Sequence, residues 1–160
     1  MKVAIVMGSD SDYKVVERAE RMLKAFGIAV SVRVLSAHRT PEQAMNFAKN
    51  AEADGFEVII GAAGKAAHLP GVLAAYTTLP IIGLPIKSST MDGLDSLLSI
   101  VQMPKGIPVA TVAIDGAENA ALLAVQILSV RYPELRQKMK EYRKKMEEEV
   151  LEKDKAFSKQ

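Results

Sequence analysis

Apolar positions along this chain alternate between two rhythms. Val3–Val6 is a short β-rich run that ends in the polar stretch Gly8-Ser9-Asp10-Ser11-Asp12. From Tyr13 to Phe26 the spacing becomes helical: Val15, Val16, Ala19, Met22, Leu23 and Phe26 share one face, and Gly27 is placed to end the helix. Ile28–Leu35 is Val-rich and predicts a second strand. Thr40-Pro41-Glu42-Gln43 then carries a Thr-x-x-Gln capping box with Pro at the first helical position. It predicts a helix running to about Asp54, with Gly55 after it.

The same alternation continues to the C-terminus. Glu57–Ile60 predicts strand three, Gly61-Ala62-Ala63-Gly64 a small-residue turn, Ala66–Tyr76 a helix and Pro80–Leu84 strand four. Lys87–Asp92 predicts a loop, Gly93–Gln102 a helix, Val109–Ile114 strand five and Asn119–Val130 an Ala/Leu-rich helix with few polar residues. Pro133 opens a last helix, over 133–158. Its apolar stripe of Leu135, Met139, Tyr142, Met146 and Val150 is thin, and Glu141–Lys145 and Glu149–Lys153 are spaced as i,i+4 pairs. Such a stripe suits docking on a neighbouring subunit better than a frayed extension.

Strands alternating with helices predict an α/β fold, a parallel sheet covered on both faces. The 160 residues form one domain without repeat or linker, and 49% apolar side chains supply its core. The chain has no cysteine, which fits a reducing compartment and rules out disulfides and thiolate metal sites. The N-terminal apolar run is too short for a signal peptide, and no run reaches the length of a membrane span, so a cytoplasmic protein is expected. Net charge is +2, carried by the tail: residues 131–160 balance to +3, and the rest to −1. With the two signs mixed there, no Trp and 5% aromatics, the composition argues against a nucleic-acid-binding protein.

In parallel sheets, ligands bind beyond the carboxyl ends of the strands. Three loops there carry chemistry. In the first, Gly8 and Ser9 allow close backbone approach and offer hydroxyl and amide donors to a phosphate, while Asp12 suits ribose hydroxyls; Ser11 or Asp12 serves equally to cap the following helix. In the second, Ser36-Ala37-His38-Arg39-Thr40-Pro41, a histidine, the residue type suited to taking and returning a proton, stands beside an arginine able to grip phosphate or carboxylate. The third, Gly61 to Gly71, contains His68, the only other histidine, amid small residues that would let backbone amides line a flat ligand. It lacks the order of a Walker loop. Two histidines without cysteine, and without a His-x-x-x-His spacing, predict no metal site.

Met7–Asp12, Ser36–Pro41 and Ala66–Gly71, together with Gly93–Pro104 and Asn119–Leu123, closely resemble the PurE family over roughly residues 2–130. The resemblance implies a flavodoxin-like three-layer αβα sandwich with a C-terminal helical extension, a homo-octamer, and no cofactor. It further implies interconversion of N5-carboxyaminoimidazole ribonucleotide and 4-carboxy-5-aminoimidazole ribonucleotide in purine biosynthesis, through a decarboxylated aminoimidazole and trapped CO2. On this resemblance His38 shuttles the proton. Gly8, Ser9, Asp12, Ser36 and Arg39 hold ribose and phosphate, and Gly64, Lys65, Ala66 and His68 cover the base and CO2. Lys65 departs from the glycine usual in the family and either binds the migrating carboxylate or points into solvent. His68 and Arg39 favour the mutase over a carboxylase using free CO2. A non-catalytic nucleotide-binding module on the same fold needs neither the His38/Arg39 pair nor the third loop.

Overall fold

The structure is a computed structural model that describes residues 1–158. Five parallel strands, β1 (Lys2–Met7), β2 (Ala29–Val34), β3 (Val58–Gly64), β4 (Ile81–Ile86) and β5 (Ala110–Thr111), form one sheet in the order β2-β1-β3-β4-β5. Helices α1 (Tyr13–Ala25), α2 (Pro41–Asn50), α3 (Leu69–Tyr76), α4 (Leu94–Val101) and α5 (Ala117–Leu128) connect or follow the strands, and α6 (Pro133–Phe157) closes the chain. This order is the flavodoxin-like arrangement, with its switch point between β1 and β3.

The central strands are buried on both faces, so their sequences are apolar throughout rather than alternating. Val3, Ile5, Val58, Ile60, Ile82 and Leu84 pack under α1, α5 and the start of α6. Their neighbours Ala4, Val6, Ile59 and Ile81 pack under α2, α3 and α4. The two layers make the expected sandwich.

Four boundaries differ most from the sequence pattern. β3 does not stop at Ile60 but runs through Gly61-Ala62-Ala63-Gly64, so these small residues are strand and not turn. The reason is helix approach: a Cβ on Gly61 would lie 3.1 Å from Pro70 Cα of α3, and one on Gly83, its partner on β4, 2.4 Å from Ile100 Cγ2 of α4. Glycine here is a packing requirement that composition alone makes look like a turn. The following helix starts at Leu69, because residues 65–68 are spent on two tight turns, with Ala67 N–H donating to Lys65 O and His68 N–H to Ala66 O (both 2.8 Å). The second helix ends at Asn50 rather than Asp54, and a turn closed by Gly55 at φ +81° follows. β5 shrinks from the expected six residues to two.

The capping box at Thr40 does not form. Thr40 Oγ1 instead accepts from Ser36 N–H (2.8 Å) and donates to Ser36 O (3.1 Å), closing the second loop on itself. A reciprocal cap exists in the first loop: Ser9 Oγ accepts from Ser11 N–H (3.3 Å), and Ser9 N–H donates to Asp12 Oδ2 (3.2 Å), across the 3-10 turn Asp10–Asp12.

The apolar stripe of α6 divides in two. Leu135 (0% exposed) and Met139 (8%) belong to the chain's own core, whereas Met146 (50%) and Val150 (63%) are open. Tyr142 at the junction packs on Phe26, ring centroids 5.9 Å apart. Among the described residues neither expected glutamate–lysine pair of α6 forms; Glu141 accepts from Gln137 (2.9 Å), and Lys144 pairs with Glu148 at 3.8 Å. Long exposed side chains have several partners at similar spacing, each worth a few tenths of a kcal/mol (about 0.3–0.5).

Candidate active site at the carboxyl edge of the sheet

The loops after β1, β2, β3 and β4 surround one cavity of about 500 Å³. The parallel register brings them together: Met7 pairs with Val34 on one side and Ala62 on the other, and Gly64 pairs with Ile86, so the chain leaves the sheet at nearly one level.

The loops are tied to one another by single hydrogen bonds. Gly8 N–H donates to Ala62 O of β3 (3.1 Å), which seats the first loop. Arg39 Nη2 donates to Gly8 O (3.0 Å), joining the second loop to the first. Arg39 N–H donates to Ser36 Oγ (3.1 Å), so the hydroxyl of Ser36 is oriented from below. His38 Nε2 and His68 Nδ1 lie 2.8 Å apart, rings edge to face at 83°, joining the second loop to the third. One of these nitrogens donates and the other accepts, so the contact fixes the orientation of both rings.

Gly8, Ser9, Asp12, Ser36, His38, Arg39, Gly64, Lys65 and Ala66 all line the cavity. His68 stands one step back: it reaches the cavity through the ring of His38. The pattern of the sequence missed Lys87, Ser88 and Ser89 after β4, which also line the cavity, as do Ser11 and Leu69. Their segment was expected as a plain loop. Its only signal was position, a polar run directly after a buried strand of a parallel sheet.

Burial pushes the Asp12 carboxyl above the usual carboxylate range, against the opposing pull of the Ser9 amide. The folded state therefore binds more protons than the unfolded state just above the ordinary aspartate value, and stability falls as pH rises through that window. Above it, a charged Asp12 keeps costing stability. Asp12→Asn retains a side-chain acceptor for Ser9 N–H and loses the charge. Thermal melts over roughly pH 3–8 should show this variant gaining stability relative to wild type as pH rises through that window, with a neutral-pH midpoint at or above wild type. A neutral-pH midpoint well below wild type would mean that the carboxylate stabilises the fold.

Among the described residues no group of three or more His, Cys, Asp or Glu side chains is placed to hold a metal ion, and no helix is long and apolar enough to cross a membrane.

Residues 2–149 match the family described as AIR carboxylase. The N5-carboxyaminoimidazole ribonucleotide mutase of Pyrococcus horikoshii is 60% identical over 153 residues, covering 96% of this chain and 86% of that protein. The chloroplastic phosphoribosylaminoimidazole carboxylase of Vigna aconitifolia is 52% identical over 93% of this chain, which corresponds to 27% of that longer protein. The crystal structure of Treponema denticola PurE superposes with a TM-score of 0.88 at 34% identity, covering 96% of both chains. With the loops, the sheet order and these likenesses in agreement, the chain belongs to the AIR carboxylase, or PurE, family.

Proposed function

We propose that the cavity binds N5-carboxyaminoimidazole ribonucleotide and interconverts it with 4-carboxy-5-aminoimidazole ribonucleotide, as an isomerase of purine biosynthesis. The observation that carries this reading is the convergence of both histidines, Arg39 and the Ser9 and Ser36 loops on one cavity. The mutase name of the Pyrococcus horikoshii relative supports the same substrate.

In this reading the Ser9 and Ser36 hydroxyls with Arg39 receive the phosphate, and Asp12 accepts from the ribose hydroxyls. The N–carboxylate bond breaks, releasing CO2 and leaving the exocyclic amine with a proton supplied by His38. The ring carbon then attacks the same CO2, and His38 recovers the proton that this carbon loses. Protons balance without cofactor or ATP, and one imidazole moving one proton between two positions suffices. The wall made by Ala63, Gly64, Ala66 and Leu69 carries no bulky polar group, which suits holding CO2 beside the ring.

The test supplies the N-carboxylated ribonucleotide without ATP or bicarbonate. Conversion to the carbon-carboxylated product is expected. If the folded protein instead converts only aminoimidazole ribonucleotide with added bicarbonate, the reaction is that of the carboxylase. Tight nucleotide binding with neither reaction would leave a binding module.

The same reading includes assembly as a homo-octamer in the cytoplasm, with the far half of α6 docked on a neighbouring subunit. The open Met146 and Val150, and the exposed row Leu94, Leu98 and Val101 on α4, support it. Light scattering should give a mass about eight times that of the chain; a monomer at working concentration would remove this part of the reading.

A further inference from the structure

Among the described residues three that are not glycine hold a positive φ: Lys65 (55°), Asp92 (57°) and Asp115 (55°). Left-handed backbone is costly for a side chain larger than glycine, and such strain gathers where function over-determines the geometry. These three sit around one feature. Lys65 is itself on the cavity wall, and the other two are the side-chain partners of Lys87. Asp115 Oδ1 accepts from Lys87 N–H (2.9 Å), and Asp92 Oδ1 pairs with Lys87 Nζ (2.9 Å).

The register explains why the two lysines are neighbours. Gly64 and Ile86 are paired across β3 and β4, so Lys65 and Lys87 are the next residues on adjacent strands, both facing the same cavity. The loop beyond Lys87 is anchored by Ser88 Oγ, which donates to Asp95 (2.7 Å to Oδ1). Among the described residues Lys65 makes no ion pair. The Lys87–Asp92 pair is exposed, and such a pair is easily exchanged for another anion.

Arg39 marks the other end of the cavity. It belongs to the loop after β2, two to three strand spacings from the lysines, roughly 12 Å at about 4.8 Å per spacing. The cavity carries cations at both ends, with Asp12, His38, serines and small residues making up the rest of the lining, and this fits a nucleotide with two separated anionic groups. We propose that Lys65 and Lys87 form a carboxylate subsite that holds the migrating carboxyl group, while Arg39 and the serine loops hold the phosphate. This assignment rests on the function proposed above. It makes the lysine pair the element that distinguishes carboxylated from uncarboxylated nucleotide.

The test measures calorimetric Kd values of two ligands, 4-carboxy-5-aminoimidazole ribonucleotide and aminoimidazole ribonucleotide, on wild type and on Lys65→Gly, Lys87→Gln and the double variant. The double variant should lose about tenfold or more in affinity for the carboxylated ligand, the scale of a charge-assisted hydrogen bond, and about twofold or less for the other. Lys65→Gly relieves a left-handed residue, so a melting midpoint no lower than wild type verifies that the variant is folded. Equal losses on both ligands would assign the lysines to the phosphate and overturn the subsite, as would no loss on either. Failure of wild type to bind either nucleotide would remove the functional reading, and the subsite with it.

Discussion

His38→Asn should lose between about a hundredfold and ten-thousandfold in kcat on the N-carboxylated ribonucleotide, with nucleotide Kd changed by a few-fold at most. The range is that of a positioned general acid–base. The binding forecast follows from the geometry. Ser9, Ser36 and Arg39 hold their places through bonds to Gly8 O, Ser36 Oγ and Asp12 that do not involve the imidazole. Asparagine is too short to replace the Nε2 contact with His68, but the second loop stays tied to the first through Arg39 and Gly8 O, so the phosphate-binding groups keep their places. Steady-state kinetics with a parallel binding titration separates the two effects. A variant keeping a tenth or more of wild-type kcat would take the proton shuttle away from His38, and a large rise in Kd would make His38 a binding residue.

That His38 stood out in the sequence is a matter of rarity: with two histidines in the chain, each at a loop after a strand, chemistry near neutral pH had few candidates. The alternation of elements was equally legible, because buried parallel strands and amphipathic helices differ in period. What the sequence concealed were features set by tertiary approach. Gly61 and Gly83 carry no side chain because α3 and α4 sit against them, yet glycine among alanines looks like a turn. Thr40 has the residue type and spacing of a helix cap, but its hydroxyl is captured by the Ser36 backbone four residues earlier. Lys87 matched no motif at all; only the pairing of Gly64 with Ile86 places it beside Lys65.

Leu135→Ala should destabilise the protein by about 2–5 kcal/mol, the usual cost of emptying a fully buried leucine site. For a chain of this length that lowers the melting midpoint by roughly 6–15 °C. Leu135 is fully enclosed between α6 and the core under α1 and α5. The surrounding contacts resist collapse into the cavity: Tyr132 Oη donates to Glu57 Oε1 (2.7 Å), Lys138 Nζ to Phe26 O (3.0 Å) and Arg136 Nη2 to Ser129 O (3.1 Å). These bonds pin the first turns of α6 from three sides. Denaturant melts of the variant provide the check. A loss below about 1 kcal/mol would mean that α6 is an appendage over its whole length and not part of the domain.

The shortness of β5 has a consequence for how the chain behaves in a crowded solution. An exposed sheet edge is a template for another strand, and a chain with 49% apolar side chains would be at risk from one. At this edge only Ala110 and Thr111 are extended in register, with Pro108 just before them and Pro104 earlier in the same connection. Proline offers no amide hydrogen to an incoming strand. The opposite edge, β2, carries Arg33, whose guanidinium lies over the Phe47 ring at 5.8 Å. The two-residue strand at one border leaves little backbone for a second chain to pair with, and the charge at the other disfavours an incoming strand, so both edges work against growth of the sheet into an aggregate.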